Sequence, residues 1–218
     1  MNQENKFPII SSITNLKYFS GELTEDEIIN IQSDFKHRVF PRPFERLSNL
    51  RDRAGGGLVC IEIGVAGGEH ALSLLKNLNI KKLYLIDPYE LYNEYIEGKI
   101  HYGVDQLSLD QTEISCRTKL KDFEKNLVWI KKLSSEAISD INENVDFVYI
   151  DGNHQEEFVV EDIDNYVSIL NTSGVIGGHD YYNGFQREHD GVVNAVTSYV
   201  KRSGYQLRVE MPDWWIET

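Results

Sequence analysis

Residues 58–76, LVCIEIGVAGGEHALSLLK, constrain this chain more than any other stretch. An apolar run of strand length carries an acid, Glu62, one place before its end. A glycine-bearing turn and then apolar residues at helical spacing follow. A strand feeding a helix through a tight turn is the opening unit of an open α/β sheet. The turn reads Glu62-x-Gly64-x-x-x-Gly68, whereas the dinucleotide fingerprint has glycine at its first, third and sixth places. Counted from Gly64, the third place is Ala66 and the sixth is Glu69. An acid at the mouth of the helix repels the diphosphate that a helix N-terminus otherwise attracts. The turn suits a cationic or hydroxyl-rich ligand instead.

The rest of the chain repeats the alternation. Strand-like runs are expected at Leu58–Ile63, Lys82–Ile86, Leu127–Leu133, Asp146–Ile150 and Val175–Gly178, and helices at His70–Leu78, Ser135–Asn142, Glu156–Leu170 and Gly191–Arg202. Such alternation implies right-handed crossovers and a mostly parallel sheet with helices on both faces, a Rossmann-like α/β fold. The end departs from it: Tyr205–Met211 and Trp214–Glu217 flank Pro212-Asp213 and read as an antiparallel hairpin. Before the sheet, an irregular arm over residues 1–20 leads to a capping box at Thr24–Glu27 and a helix to Phe40. A second helix over Phe44–Arg53 and a Gly55-Gly56-Gly57 joint complete an N-terminal helical arm, residues 1–57, ahead of a main domain over 58–218. The segment Pro88–Asp122, rich in Tyr, Glu, Asp and Gln and without a clear strand, reads as a lid-like insertion at the ligand edge.

A net charge of −13 opposes binding to nucleic acid or to an anionic membrane, because the phosphates would repel the chain. The six Lys and Arg between Lys36 and Arg53 read as a solvated helix face. Cys60 and Cys116 form neither a disulfide framework nor a metal-spaced pair. With neither a signal-peptide pattern nor a segment of membrane-spanning length, a cytoplasmic location is expected. The aromatic-rich arm leaves a homo-oligomer open.

In open α/β sheets ligands bind beyond the carboxyl ends of the strands. Each expected strand here stops on polar residues: Glu62-Ile63-Gly64, Asp87 before Pro88, Ser134-Ser135-Glu136, Asp151-Gly152-Asn153-His154, and His179-Asp180-Tyr181. Turn formers alone explain one or two of these but not five along one edge. Asp87 is placed to accept ribose hydroxyls or to form an Asx turn before Pro88. Asp151 and Asp180 with His154 and His179 supply either oxygen and nitrogen ligands for a divalent cation or a general base oriented by a carboxylate.

On these residues the chain resembles the class I S-adenosylmethionine-dependent methyltransferases, and within them the branch of macrocin-type sugar O-methyltransferases. The carriers are Glu62-Ile-Gly64-Val-Ala-Gly67-Gly68, Leu-Ile-Asp87, Tyr149-Ile-Asp151-Gly152-Asn-His154, Glu161-Asp162-Ile163, Gly177-Gly178-His179-Asp180-Tyr181 and Gly191-Val192-Val193-Asn-Ala195-Val196, spanning about residues 58–200. The resemblance implies a seven-stranded sheet of order 3-2-1-4-5-7-6 with a reversed last strand. It implies that Gly64–Gly68 wrap the methionine part of S-adenosylmethionine with Glu62 near its amino group. Asp87 would hold the ribose, and Ser134, Ser135 and Glu136 would border the adenine. Asp151 and His154 would face the sulfonium and the acceptor. Metal-dependent members carry two adjacent acids after the fifth strand, and here the first is His179. The candidate ligands for Mg2+ are then Asp151, His179 and Asp180, with Asp151 or His179 as the base if no metal takes part. The activity implied is O-methylation of a small hydroxylated acceptor such as a sugar. The readings weighed against it are a nicotinamide-dependent oxidoreductase and a non-catalytic adenosyl-ligand-binding protein.

Overall fold

The structure, a computed structural model, describes residues 56–92, 104–181, 190–210 and 213–218. The expected arm and helices before residue 56, the middle of the Pro88–Asp122 segment and the loop carrying His189 lie outside the described residues.

The elements in chain order are β1 (Leu58–Ile63), α1 (Glu69–Asn77), β2 (Ile80–Ile86), α2 (Gln106–Leu120), β3 (Leu127–Ile130), α3 (Ser134–Ala137), β4 (Val145–Ile150), α4 (Glu156–Val167), β5 (Leu170–Gly178), α5 (Asp190–Ser203), β6 (Gln206–Glu210) and β7 (Asp213–Glu217). The seven strands form one sheet in the order β3-β2-β1-β4-β5-β7-β6. The first five pair in parallel, and β7 runs antiparallel to both β5 and β6. Both the expected order and the reversed last strand are therefore found.

β1 is buried along its whole length, which is why it reads as a continuous apolar run rather than an alternating one. Its side chains still sort by parity. Val59, Ile61 and Ile63 join Val159, Ile163 and Tyr166 of α4 and Val192, Val196 and Tyr199 of α5 in one core layer. Leu58 and Cys60 join Leu74 and Leu75 of α1 with Cys116 and Leu120 of α2 in the other. Trp214 and Trp215 at the start of β7 fill one layer each. The glycines they face serve packing: a Cβ on Gly177 would lie 2.6 Å from the Trp214 carbonyl oxygen, and one on Gly178 would lie 2.3 Å from that of Ile150.

Several boundaries differ from the sequence reading. β2 begins at Ile80, where pairing with Leu58 captures two more residues. β3 stops at Ile130, and α3 is one turn followed by a 3-10 turn, Ile138–Asp140, rather than a helix reaching Asn142. β5 starts at Leu170 because a register shift lets Asn171–Gly174 bulge while Leu170 still pairs with Val145. Within Pro88–Asp122, residues 106–120 form α2, capped by the Asp105 carboxylate on the Ser108 amide. Its only buried residues are Cys116 and Leu120, so a polar helix of this kind carries almost no amphipathic signal. Among the described residues, no helix is long and apolar enough to cross a membrane.

Candidate active site

A cavity of about 440 Å³ opens at the carboxyl edge of the sheet, within the range of small-ligand sites. Its walls come from the ends of β1 and β2, the Ser134-Ser135 turn and the loop after β4, with His179 past β5.

The β1–α1 turn forms one wall. Gly64 has φ 80°, and a Cβ there would sit 2.1 Å from the Asp151 carbonyl oxygen, so only glycine fits. Asp87 then holds the turn closed. Its Oδ2 accepts the Val65 and Ala66 amides at 3.0 Å each, and its Oδ1 accepts the Tyr89 amide at 2.9 Å. The Tyr89 hydroxyl returns a bond to the Ala66 carbonyl at 2.8 Å. Ala66 (φ 44°) and Tyr89 (φ 46°) both adopt the left-handed backbone that non-glycine residues avoid. Burial raises the Asp87 pKa and the three amides pull it back. Two amides of the turn, those of Val65 and Ala66, are thus engaged by a carboxylate instead of being open to an anion. The Asx-turn reading of Asp87 is present in the Tyr89 bond. By lone-pair count, Oδ1 keeps capacity for one further donor.

Glu62 is 2% exposed and lines the cavity beside the turn. Its Oε2 lies 3.1 Å from His70 Nδ1, and the His70 ring stacks on Tyr149 at 3.7 Å. Burial raises the Glu62 pKa, opposed by the charge and hydrogen bond of His70.

The opposite end holds two acids and two histidines. The Asp151 and His179 amides, bonded to the Ile63 and Ile150 carbonyls at 2.8 and 3.1 Å, continue the parallel ladder and so fix where these side chains start. Asp180, 6% exposed and at φ 57°, lies between the imidazoles: Oδ2 is 2.9 Å from His154 Nε2 and Oδ1 is 3.1 Å from His179 Nδ1. Asp151 Oδ1 lies farther off, 3.8 Å from His154 and 4.0 Å from His179. Burial alone would depress both histidines, but the two carboxylates outweigh it and raise His154 to about 10 and His179 to about 9. Against its own burial, Asp180 is held well below the usual carboxylate range by bonds from the same imidazoles.

Asp151, His154 and Asp180 have ligand atoms within 4.8 Å of one another, so the converging set contains His154 where the sequence reading has His179. This set does not fit Mg2+. It offers an imidazole nitrogen, already 2.9 Å from Asp180 Oδ2, to a hard ion that prefers an all-oxygen shell.

Of the other expected residues, Ser134 and Ser135 line the cavity, whereas Glu136 is exposed and is not part of its wall. Gly68 caps α1 and packs on α2, with a notional Cβ 2.6 Å from Cys116 Sγ, and is likewise outside the wall. Among the wall residues without an assigned role in the sequence reading are His70, Tyr149 and Asp162. Asp162 is 2% exposed, and burial raises its pKa to about 7 against a hydrogen bond from Ser134. Its signal was an acid inside the buried stripe Val159-Asp162-Ile163-Tyr166 of α4. His70 gave the same kind of signal beside Ala71 and Leu74 on α1.

A family model described as a methyltransferase domain matches residues 61–181, more than half of the chain. No curated protein matches the sequence. Among solved structures, an rRNA methylase from Streptococcus thermophilus aligns with TM-score 0.55 at 14% identity, over 83% of this chain and 95% of that one. An O-methyltransferase from Bacillus cereus in complex with SAH aligns with TM-score 0.52 at 12% identity, over 95% and 98%. The O-methyltransferase NovP aligns with TM-score 0.56 at 14% identity, over 79% and 78%. At such identities the structures speak for the fold. The matched span starts in β1 and ends beyond β5 at Tyr181, so it contains the turn, Asp87 and the acid–histidine cluster. With this match and this sheet order, the chain belongs to the methyltransferase-domain family and has the class I methyltransferase fold.

Proposed function

We propose that the chain transfers a methyl group from S-adenosylmethionine to a hydroxyl of a small acceptor, with a sugar as the narrower expectation. The observation that carries this reading is the β1–α1 turn. Its Val65 and Ala66 amides are bound to Asp87, and Glu62 stands beside it, so the wall offers carboxylate rather than amide to a ligand. That chemistry fits the cationic amino group and the ribose of S-adenosylmethionine. It does not fit the pyrophosphate of a nicotinamide dinucleotide. The SAH bound by the Bacillus cereus O-methyltransferase supports the same cofactor class.

When bound, the cofactor supplies an electrophilic methyl carbon on a sulfonium. The chain's work is then to bind, align and accept a proton. In this reading Glu62 holds the amino-acid end, Asp87 takes a ribose hydroxyl on Oδ1, and Ser134 and Ser135 border the base. Both imidazoles are paired to Asp180, so in this reading Asp151 on the cavity wall takes the proton of the acceptor hydroxyl. Pro88, Tyr89, Glu90, Tyr92 and Leu109 from the Pro88–Asp122 segment line the same cavity, which supports a role for that segment in covering the acceptor.

The test is methyl transfer from methyl-labelled S-adenosylmethionine to a panel of sugars and other small polyols, with RNA as a separate arm. Labelled O-methyl product from the small-molecule arm is expected. Label found only in the RNA arm would contradict the acceptor class.

A further inference from the structure

We propose that His70 is a positioning residue for the cationic end of the ligand: its Nδ1–H donates to Glu62 and fixes that carboxylate at the cavity wall, so that a His70–Glu62 pair recognises the amino-acid part of S-adenosylmethionine. The inference rests on the cofactor reading above and goes beyond it, because it gives a role to a residue on α1 that the turn motif does not contain.

The geometry is specific. Glu62 on β1 and His70 on α1 face each other across the turn, with 3.1 Å between Oε2 and Nδ1. Both are buried, at 2% and 8% exposure, and both line the cavity. A carboxylate this deep in protein stays charged only if hydrogen bonds replace its water. Glu62 receives one from His70 and another from the Ala71 amide, while Asp151 across the cavity opposes its charge. With Glu62 ionised, Nδ1 must carry the imidazole proton. The ring is also held in plane: it stacks on Tyr149 with 20° between the rings, and the Tyr149 hydroxyl donates to Asp213 Oδ1 at 3.0 Å. His70 therefore aims Glu62, and its hydrogen bond opposes the rise that burial gives the Glu62 pKa. An ammonium group in the cavity then meets a carboxyl group that is already oriented, which is what makes such a contact strong.

The test separates the two ends of the ligand. Calorimetry is run with S-adenosylhomocysteine, which carries the ammonium, and with 5′-methylthioadenosine, which keeps the nucleoside and thioether but has no amino acid. The proteins are the unmodified chain, His70→Ala, His70→Asn and Glu62→Gln, with thermal unfolding to establish that each is folded. His70→Ala is expected to weaken S-adenosylhomocysteine on the order of tenfold while leaving 5′-methylthioadenosine within about twofold. His70→Asn, whose amide nitrogen stands near the place of Nδ1, is expected to recover much of the loss. Glu62→Gln is expected to show the same ligand split, so it carries the test if His70→Ala does not fold. Equal weakening of both ligands would make His70 merely structural and overturn the proposal, as would no weakening of either. An unmodified chain that binds neither ligand would overturn the cofactor reading itself, and this inference with it.

Discussion

Asp87 Oδ2 lies 3.0 Å from the Ala66 amide nitrogen and joins the end of β2 to the turn after β1. The same carboxylate accepts the Val65 and Tyr89 amides, so removing it strips three backbone donors of their acceptor in a half-buried place. Asp87→Ala is expected to lower unfolding stability by about 2–4 kcal/mol, read from denaturant midpoints at unchanged slope. Asp87→Asn keeps an acceptor and is expected to lose less than half of that. Equal losses in the two variants would show that the turn does not depend on these bonds.

Gly64→Ala meets two obstacles, a left-handed backbone at φ 80° and the Asp151 carbonyl 2.1 Å from the new Cβ. Asp151 cannot step aside, because its amide is tied to the Ile63 carbonyl at 2.8 Å. A loss of at least about 2 kcal/mol is expected, since left-handed strain and a backbone clash add. The effect should also reach the site, seen as altered NMR shifts at Asp151 and His154. A variant with parental stability would contradict the packing described here.

The acid–histidine cluster makes stability depend on pH in a defined direction. His154 and His179, raised to about 10 and 9, contribute stability that is complete below the ordinary imidazole range and is lost as pH rises through about 9 to 10. Asp180, depressed, contributes stability that is present above the ordinary carboxylate range and is lost as pH falls. Asp180→Asn leaves the imidazoles without their nearest anion. Both histidine titrations, followed by NMR, are expected to move down towards about 6.5, with a loss of about 3–5 kcal/mol near neutral pH. Unmoved titrations would show that Asp180 does not set them.

Asp162 works with the sign opposite to that of Asp180. Burial raises it to about 7, so the folded chain holds a proton that the unfolded chain releases near pH 4, and stability falls as pH rises between those values. Asp162→Asn cannot ionise. It is expected to flatten this part of the profile, gaining on the parent by up to about 4 kcal/mol between pH 4 and pH 8. A parallel pair of pH profiles would contradict the assignment.

How much of this was legible in the sequence follows from what kind of signal each part leaves. β1, β2, β4 and β5 are buried on both faces and read as apolar runs, and the polar residue after each run marked the site edge. The reversed β7 was readable from Pro212-Asp213 between two strand-like runs. α2 was not readable, because it buries only Cys116 and Leu120 and owes its place to packing under Gly68. The start of β5 was hidden by Asn171–Gly174, turn formers that bulge without ending the strand. At the site, motif residues at strand ends were legible. His70 was not, and Asp162 was legible only as part of the Glu161-Asp162-Ile163 motif and without a role, because both reach the cavity from helix faces, where a single polar residue resembles an ordinary core exception. Asp87 carried two readings, and only the bond lengths show that its carboxylate organises the turn backbone.

On the proposed function, the wall built by Glu62, Gly64 and Asp87 takes an adenosyl sulfonium or thioether with a free ammonium group, and not a diphosphate. Isothermal calorimetry of the whole chain with S-adenosylmethionine, S-adenosylhomocysteine and NAD tests it most directly. Saturable binding of the first two at one site per chain, abolished in a folded Glu62→Gln/Asp87→Asn double variant, with no heat from NAD, is the result predicted. Binding of NAD in preference to both adenosyl ligands, or no binding of any of the three by the folded chain, would contradict it.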